Sequence, residues 1–316
     1  MTTRLGNPDL AAALTSRLSV PVVVGPMFLI SGPDLVIASS RAGVVGSFPT
    51  LNARSPAILD EWLARMTTET EGHAPFAANM IVHQSNTRID EDMEVVANHK
   101  VPIVISSVGN PSAVVERVHR YGGLVFADVA SLKHARRSAE AGVDGLILLC
   151  AGSGGNTGWL NPFAFVGAVR EFFDGPIVLA GAMTRGRYIH AAQQVGADFA
   201  YVGTSFIATR ESLANDHYRE MLVASTADDV ILTDAVTGIP ANMLRQSLQN
   251  AGFDKGHKPE GFNLLKEIEV LKAWRDIWSA GHGVGDVTRV ESVADLVDRL
   301  RQDYQAARSG ARAAAA

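Results

Sequence analysis

Residues 151–158, AGSGGNTG, are the part of the sequence whose composition points most directly to ligand binding. Four glycines in this stretch let backbone N–H groups approach a ligand closely and face an anionic or electron-rich atom. An unbroken apolar run, Leu146 to Cys150, precedes the loop, and a segment with helical spacing follows it. Such a run bounded by glycines is typical of a strand buried on both faces of a parallel sheet. We therefore predict a strand, a ligand-binding glycine loop and a helix.

Short glycine-containing or polar segments also follow other apolar runs. They contain Gly25, Pro26, Met27, Asn79, Gly181, Ala182, Gly203 and Thr204. In a parallel barrel all strand C-termini lie at one end, where barrel enzymes have their active sites. Glycine loops after the seventh and eighth strands can bind a phosphate through backbone N–H groups. A phosphate site next to an apolar centre and a donor-lined loop favours a mononucleotide cofactor such as FMN.

Eight strand-then-helix units place these loops along the chain. The predicted strands are 20–24, 44–48, 76–82, 101–106, 124–128, 146–150, 176–180 and 199–202. The short βα connections favour an α/β fold of the TIM (β/α)8 barrel type over an open doubly wound sheet. We expect the barrel and FMN site in residues 1–211, a mostly helical C-terminal insertion packed on the barrel in 212–278, a return loop and closing helix in 279–308, and a tail in 309–316.

Composition narrows the classes of function. The chain has 316 residues, 47% of them hydrophobic, with a net charge of -5 and a pI near 6.0. This charge argues against a nucleic-acid partner or an anionic membrane surface. No apolar run approaches the roughly 20 residues that span a bilayer, and no signal-peptide pattern is present, so we expect a cytoplasmic protein; an oligomer stays open. The single cysteine, Cys150, indicates packing rather than nucleophilic chemistry, and no metal-ligand motif is present.

Several motifs together resemble a known family. They are VGPM, ANM, AGSGGNTGWLNPFAF, LAGAM, ADFAYVGTSFIATRE and IWSAGHGVG. The combination is similar to the FMN-dependent nitronate monooxygenases, long called 2-nitropropane dioxygenases, and more distantly to flavin-dependent enoyl-acyl-carrier-protein reductases. The resemblance implies a TIM barrel with non-covalent FMN. It assigns cofactor binding to Gly25, Pro26, Met27, Asn79, Ala151, Gly152, Gly154, Gly155, Gly181, Ala182, Gly203, Thr204 and Ser279.

One position departs from the family pattern. The family loop usually reads AGGHxG, and its histidine is credited with acid–base work, whereas this chain has Asn156. Asparagine donates and accepts hydrogen bonds but does not exchange a proton near neutral pH. A nitronate is already deprotonated, so its oxygens can accept bonds from Asn156 and the loop without a base. The resemblance therefore implies oxidation of an alkyl nitronate by dioxygen to a carbonyl compound and nitrite, with the small-molecule substrate and dioxygen as partners.

Other side chains are candidates for proton transfer or pocket walls. His83, four residues after Asn79, is our candidate proton carrier, and His282 is the second. Asp128 is interpreted as a cap for the helix that begins near Ser131. The aromatic residues Trp159, Phe163 and Phe165 are interpreted as packing the following helix on the barrel, with a pocket-wall role for Trp159 as the alternative.

Two other functions stay open. The first is an NAD(P)H-dependent FMN oxidoreductase, or a dehydrogenase or enoyl reductase that acts on an acyl thioester; Asn156 adds weight to this alternative. The second is a binding or scaffold protein that kept the barrel and lost catalysis.

Overall fold

Eight parallel strands form the centre of the protein. The computed structural model describes residues 4–236, 238–252 and 277–310. The eight strands are β1 (Val22–Val24), β2 (Gly46–Pro49), β3 (Phe76–Ile81), β4 (Ile103–Ser107), β5 (Leu124–Val129), β6 (Gly145–Leu149), β8 (Ile177–Ala180) and β9 (Phe199–Val202). Their order is β1-β9-β8-β6-β5-β4-β3-β2, and Val23 pairs with Val45 just before β2. This pairing closes the sheet, so the predicted barrel is confirmed.

Helices surround the barrel of strands. They are α1 (Asp9–Thr15), α2 (Pro33–Arg41), α3 (Pro56–Glu69), α4 (Ile89–Asn98), α5 (Ser112–His119), α6 (Leu132–Glu140), α7 (Pro162–Arg170), α8 (Gly186–Gln194), α9 (Thr204–Ile207), α10 (Asp216–Ala224), α11 (Arg245–Asn250) and α12 (Val293–Arg308). Short 3₁₀ helices cover Thr50–Asn52, Ala227–Asp229 and His282–Asp286.

The barrel interior is filled by apolar side chains. Alternate residues of a strand point to one face, so every second residue of each strand faces inward. This inner cluster includes Val23, Ala77, Ile103, Ile105, Phe126, Ile147, Val178 and Phe199. Leu14 and Leu10 of α1 pack against the same cluster. The interior is therefore a packed core, and a ligand must bind above it.

A second, three-stranded sheet covers part of the barrel opening. It consists of β10 (Val230–Thr233), β11 (Ala241–Leu244) and β7 (Gly155–Asn156), all antiparallel. This sheet was not among the predicted elements of the mostly helical insertion, although α10 and α11 lie in the same region. Residues 253–276 of that insertion lie outside the described residues. The domain boundaries stay a prediction.

The closing helix α12 has the predicted buried face. Its inward side chains are Val293, Leu296, Val297, Leu300 and Tyr304, all buried. They pack with α8 residue Ile189 in one core cluster. Among the described residues, no helix is both long and apolar enough to cross a membrane.

Candidate active site

A cavity of about 1670 Å³ opens at the C-terminal end of the barrel strands. Thirteen residues chosen from the sequence line it: Gly25, Pro26, Met27, Asn79, Gly152, Gly154, Gly155, Asn156, Gly181, Ala182, Gly203, Thr204 and Ser279. They come from parts of the chain that are up to 254 positions apart, the difference between 279 and 25. The structure therefore brings almost the whole predicted set to one place.

Two predicted site residues lie outside this lining. His83 is half-buried in the turn after β3, where its Nδ1 lies 2.7 Å from the hydroxyl of Ser85. Ala151 is exposed, and its N–H donates to the carbonyl of Leu160 at 3.0 Å. Neither residue lines the cavity that the described residues define. The second histidine candidate, His282, faces a smaller neighbouring pocket of about 360 Å³.

Hydrogen bonds with Asn52, in the 3₁₀ helix after β2, and with Ser31 fix the loop after β1. The Asn52 Nδ2 group donates to the carbonyls of Met27 and Ser31 at 3.0 and 2.8 Å. The N–H of Met27 in turn donates to the hydroxyl of Ser31 at 3.0 Å. Because both sides of this turn are held by side chains, Pro26 and Met27 are presented to the cavity in one conformation. Sequence reasoning did not identify Asn52 or Ser31.

The glycine loop after β6 is held from outside the barrel by β11. Asn156 pairs with Ala241, and the buried Asn242 side chain donates to the carbonyl of Ser153 at 2.7 Å. Gly152 and Gly155 have φ of 89° and 65°, a region that side chains with a Cβ rarely adopt. The Oδ1 of Asn156 is shielded from solvent and has no hydrogen-bond partner among the described residues. A buried acceptor of this kind favours a ligand that supplies a donor.

The return segment packs backbone to backbone against the same loop. The N–H of His282 donates to the carbonyl of Gly152 at 2.9 Å, and the N–H of Gly281 donates to Thr204 Oγ1 at 3.0 Å. A Cβ on Gly281 would lie 2.6 Å from the Gly152 oxygen, so glycine is required there. The Tyr218 hydroxyl donates to the Ser279 carbonyl at 2.6 Å and so holds the start of the segment.

The loop after β8 is strained and anchored. Gly181 has φ 120° and Ala182 has φ 54°, which is unusual for a residue with a Cβ. Thr184 donates to Asp286 at 2.5 Å, and the neighbouring Arg185 forms an ion pair with the same carboxylate. Burial opposes ionisation of Asp286, but the hydrogen bonds from Arg185 and Thr184 outweigh it and lower its pKa. This anchor holds the backbone N–H groups of the loop at the cavity rim.

The cavity floor is polar. Asn79, Ser107, Asp128 and Tyr201 each lie two residues after an inward-facing core residue of their strand, and all four line the cavity. Asn79 Nδ2 donates to Ser107 Oγ at 2.6 Å, and Ser107 Oγ donates to Asp128 Oδ2 at 2.5 Å. Burial raises the pKa of Asp128 to about 7, even though the Ser107 hydrogen bond lowers it.

The interpretation of Asp128 as a helix cap was wrong. The side chain of Ser131 caps α6, accepting the N–H of His134 at 3.2 Å. The carboxyl of Asp128 faces inward because it continues the alternation of Leu124 and Phe126 along β5. That alternation was the signal in the sequence that could have identified it.

Two other side-chain predictions are resolved by burial. Cys150 is fully buried, which raises its thiol pKa to about 12, so it packs and does not act as a nucleophile. Phe165 is buried as expected, but Trp159 is 78% exposed and Phe163 is 67% exposed. The prediction that these two aromatic residues pack on the barrel was wrong, and Trp159 does not line the cavity that the described residues define.

The donor set of the cavity fits a flavin better than a metal ion. Backbone N–H groups of the strained loops suit a phosphate, and the polar floor and the Asn156 amide suit the heteroatoms of a flavin ring. No group of three or more His, Cys, Asp or Glu residues in the described part of the chain is placed to hold a metal ion.

A closed parallel barrel with a donor-lined cavity at its C-terminal end belongs to the class of TIM-barrel enzymes. A family model described as nitronate monooxygenase matches residues 60–303, more than half of the chain. The chain therefore belongs to the nitronate monooxygenase family, and it is a flavin-dependent oxidoreductase. The alternative of a non-catalytic scaffold loses its support.

Curated relatives carry two kinds of name. The nitronate monooxygenase of Paraburkholderia phytofirmans is 26% identical, with 96% of this chain and 97% of the relative covered. A protein of Rhodococcus jostii named as a (3aS,4S,5R,7aS)-5-hydroxy-7a-methyl-1-oxo-octahydro-1H-indene-4-carboxyl-CoA dehydrogenase is 28% identical, with 77% and 68% covered. A protein of Mycobacterium tuberculosis that is named as a monooxygenase, Rv1533, is 33% identical over 170 residues. The match spans 53% of this chain and 44% of that relative.

Solved structures have the same architecture. FabK from Thermotoga maritima superimposes with a TM-score of 0.81 at 25% identity, covering 96% of this chain and 98% of that chain. Nitroalkane oxidase from Streptomyces ansochromogenes also gives 0.81 at 25% identity, covering 95% and 100%. Both matches extend over nearly the whole chain, which confirms the predicted fold class.

Proposed function

We propose that the protein binds FMN and oxidises alkyl nitronates with dioxygen to a carbonyl compound and nitrite. The observation that carries this proposal is Asn156, a neutral amide that lines the cavity where the family pattern has a proton-exchanging histidine. A nitronate needs no base, so a site that binds and orients an anion is sufficient. When bound, FMN would accept the electrons of the substrate and pass them to dioxygen.

Each wall of the cavity has a role in this proposal. Pro26, Met27 and Asn79 would contact the flavin ring together with the glycine loop after β6. Backbone N–H groups of Gly181, Ala182, Gly203 and Thr204 would hold the phosphate. Asn156 would orient the nitronate through its amide, and Ser279 would close the site from the return segment. Of the two predicted catalytic residues, Asn156 and His83, the role of His83 has less support, because His83 does not line the cavity that the described residues define.

One observation favours a second candidate. The cavity of about 1670 Å³ exceeds the range of roughly 300–1000 Å³ that is common for small-ligand sites. Exposed cations, Arg54 and Arg137, line its outer part and suit an anionic substrate such as a nucleotide-linked acyl thioester. The alternative is therefore an FMN-dependent oxidoreductase that takes electrons from NAD(P)H or acts on an acyl thioester.

An anaerobic absorbance titration of the flavin-loaded protein tests the proposal. Bleaching by a short alkyl nitronate, followed by release of nitrite when air is admitted, is the expected result. Parallel additions of NADH and NADPH provide the comparison. Bleaching by a nicotinamide alone contradicts nitronate oxidation and supports the second candidate, and bleaching by neither contradicts both the nitronate and the nicotinamide reactions.

A further inference from the structure

Asp128 is the carboxyl in the cavity floor whose environment least supports a charge. Its Oδ2 accepts one hydrogen bond, from Ser107, and its Oδ1 is shielded from solvent and has no partner among the described residues. A carboxylate with one hydrogen bond and a second oxygen shielded from solvent is poised to bind a proton. The proposed oxidation of nitronates gives the Asp128 carboxyl no role.

Among the described residues, the side chains next to Asp128 carry no positive charge that would hold it ionised. The neighbouring strands β3 and β4 present Asn79 and Ser107, and β6 presents the apolar Leu149. From β9 comes Tyr201, whose buried hydroxyl also lacks a partner in the described structure and whose pKa is raised by burial and by the Asp128 charge. His134 and Arg137 of α6 line the same cavity and are exposed.

Asp128 lies where charge would change during turnover. It is linked through Ser107 to Asn79, which is one of the residues proposed to bind the flavin ring. Negative charge placed above a poised carboxylate disfavours its ionised form. We propose that Asp128 takes up a proton from solvent when two-electron reduction of the flavin places negative charge in the cavity. This inference rests on the proposed flavin site, but not on nitronate as the substrate.

The balance of the step is simple. The reducing substrate supplies two electrons to the flavin, which takes up one proton of its own and so gains one negative charge. A second proton moves from solvent to the Asp128 carboxylate, so that an O–H bond forms and no bond in the protein breaks. Re-oxidation removes the negative charge, and the proton then leaves. Asp128 thereby offsets the charge that reduction adds. The amide of Asn156, which lines the same cavity, cannot exchange a proton.

The sign of the pH dependence follows from the pKa of about 7 in the structure without ligand. Below that pH Asp128 is protonated in both redox states and contributes nothing to the slope. Above it the group is ionised in the oxidised protein and takes up a proton on reduction, so the potential falls more steeply with pH. One linked proton in a two-electron couple changes the equilibrium constant for reduction tenfold per pH unit, so the reduction potential falls by about 30 mV more per pH unit.

Spectroelectrochemical titration of the flavin-loaded protein at pH values below and above the pKa of Asp128 tests the inference. An electrode with redox mediators supplies the electrons, and neither dithionite nor nitronate is present. The wild type should show the extra slope of about 30 mV per pH unit above pH of roughly 7. Asp128→Asn should lose that extra slope and have the higher potential at alkaline pH, because it carries no charge. Ser107→Ala should retain the slope but move its onset to higher pH, because the hydrogen bond that lowers the Asp128 pKa is gone.

Controls separate this effect from general damage. Asp90→Asn changes a carboxylate whose side chain is 94% exposed, and it should match the wild type at every pH. At a pH above the onset in each protein, where Asp128 is ionised in the oxidised state, a reduced-minus-oxidised infrared difference spectrum should show a protonated carboxyl band in the wild type and in Ser107→Ala, but not in Asp128→Asn. Equal slopes in the wild type and Asp128→Asn, or absence of the band from the wild type, would overturn the inference. Since no nitronate is used, failure of nitronate oxidation would leave these readouts intact.

Discussion

Asn156 occupies the position at which the glycine loop of this chain departs from the family sequence pattern. Its backbone pairs with Ala241, its side chain lines the cavity, and its Oδ1 lacks a partner among the described residues. A histidine at the same place would have a ring nitrogen in reach of the same ligand. The two side chains therefore differ in their ability to exchange a proton.

Replacement of Asn156 tests this difference directly. Asn156→His should raise kcat/KM for a neutral nitroalkane by about 100-fold, the lower end of general acid–base contributions, because the imidazole can remove the α-proton. The rate with the preformed nitronate should change little, since that substrate needs no base. Steady-state oxygen consumption with both substrates over a range of pH provides the measurement.

A second variant at the same position provides the control. Asn156→Ala removes the amide without adding a base, so it should weaken nitronate oxidation and leave nitroalkane turnover negligible. If both variants matched the wild type with both substrates and left the flavin absorbance unchanged, Asn156 would not lie beside the cofactor or the substrate.

The sequence predicted individual residues where local pattern and position in a strand agreed. Gly25, Gly181 and Gly203 follow apolar runs whose ends could be read directly, and they line the cavity. Asp128 was misassigned because a carboxylate before a helix also suits a cap, and only its alternation with Phe126 showed that it points inward. Asn52 and Ser31 could not be found, since their roles depend on contacts between separate loops.

The antiparallel sheet of β7, β10 and β11 determines the shape of the glycine loop. Ala241 and Asn242 pair with Asn156 and Gly155, and the buried Asn242 side chain donates to the Ser153 carbonyl. The sequence did not indicate this sheet, because β7 has two residues and the partner of Asn156 lies 85 positions later, the difference between 241 and 156. Short strands of this kind depend on long-range pairing, which no local periodicity reports.

Asn242→Ala should loosen the glycine loop without unfolding the barrel. The change leaves the buried Ser153 carbonyl without its donor, which costs about 1–3 kcal/mol. If half of that cost falls on the flavin-bound state, the dissociation constant for FMN rises by roughly 2- to 12-fold. Fluorescence titration of the protein stripped of flavin measures this constant.

Leu232→Ala is the matched control for that variant. Leu232 pairs with Asn242 across the same sheet, but its side chain is 58% exposed and makes no part of the cavity lining that the described residues define. Its substitution should leave FMN affinity unchanged. Equal loss of affinity in both variants would show that the sheet as a whole, and not the Asn242 hydrogen bond, supports the loop.

At the scale of the whole molecule, α12 packs on α8 and so attaches the C-terminal part of the described chain, residues 279–308, to the barrel. Arg187 of α8 forms an ion pair with Asp303 at 2.8 Å, and the Tyr304 hydroxyl donates to Gln193 at 2.7 Å. The periodicity of α12 predicted its buried face, but the close approach of the two helices could not be predicted. It depends on Gly186, where a Cβ would lie 2.2 Å from both the Leu300 oxygen and the Tyr304 nitrogen.

Gly186→Ala should therefore destabilise the entire molecule. The added methyl group meets backbone atoms that cannot rotate away, so α12 must move off α8, at a cost of about 1–3 kcal/mol or more. Gly167→Ala is the matched control, because Gly167 is exposed in α7 and has no atom within 4 Å of the position of a Cβ. There the better helix propensity of alanine should stabilise the protein by roughly 0.5–1 kcal/mol. Thermal unfolding of the two variants should shift in opposite directions from the wild type, by about 2 °C per kcal/mol. A Gly186→Ala protein that melts at or above the wild-type temperature would contradict the view that backbone contact between α8 and α12 limits the stability of the closed barrel.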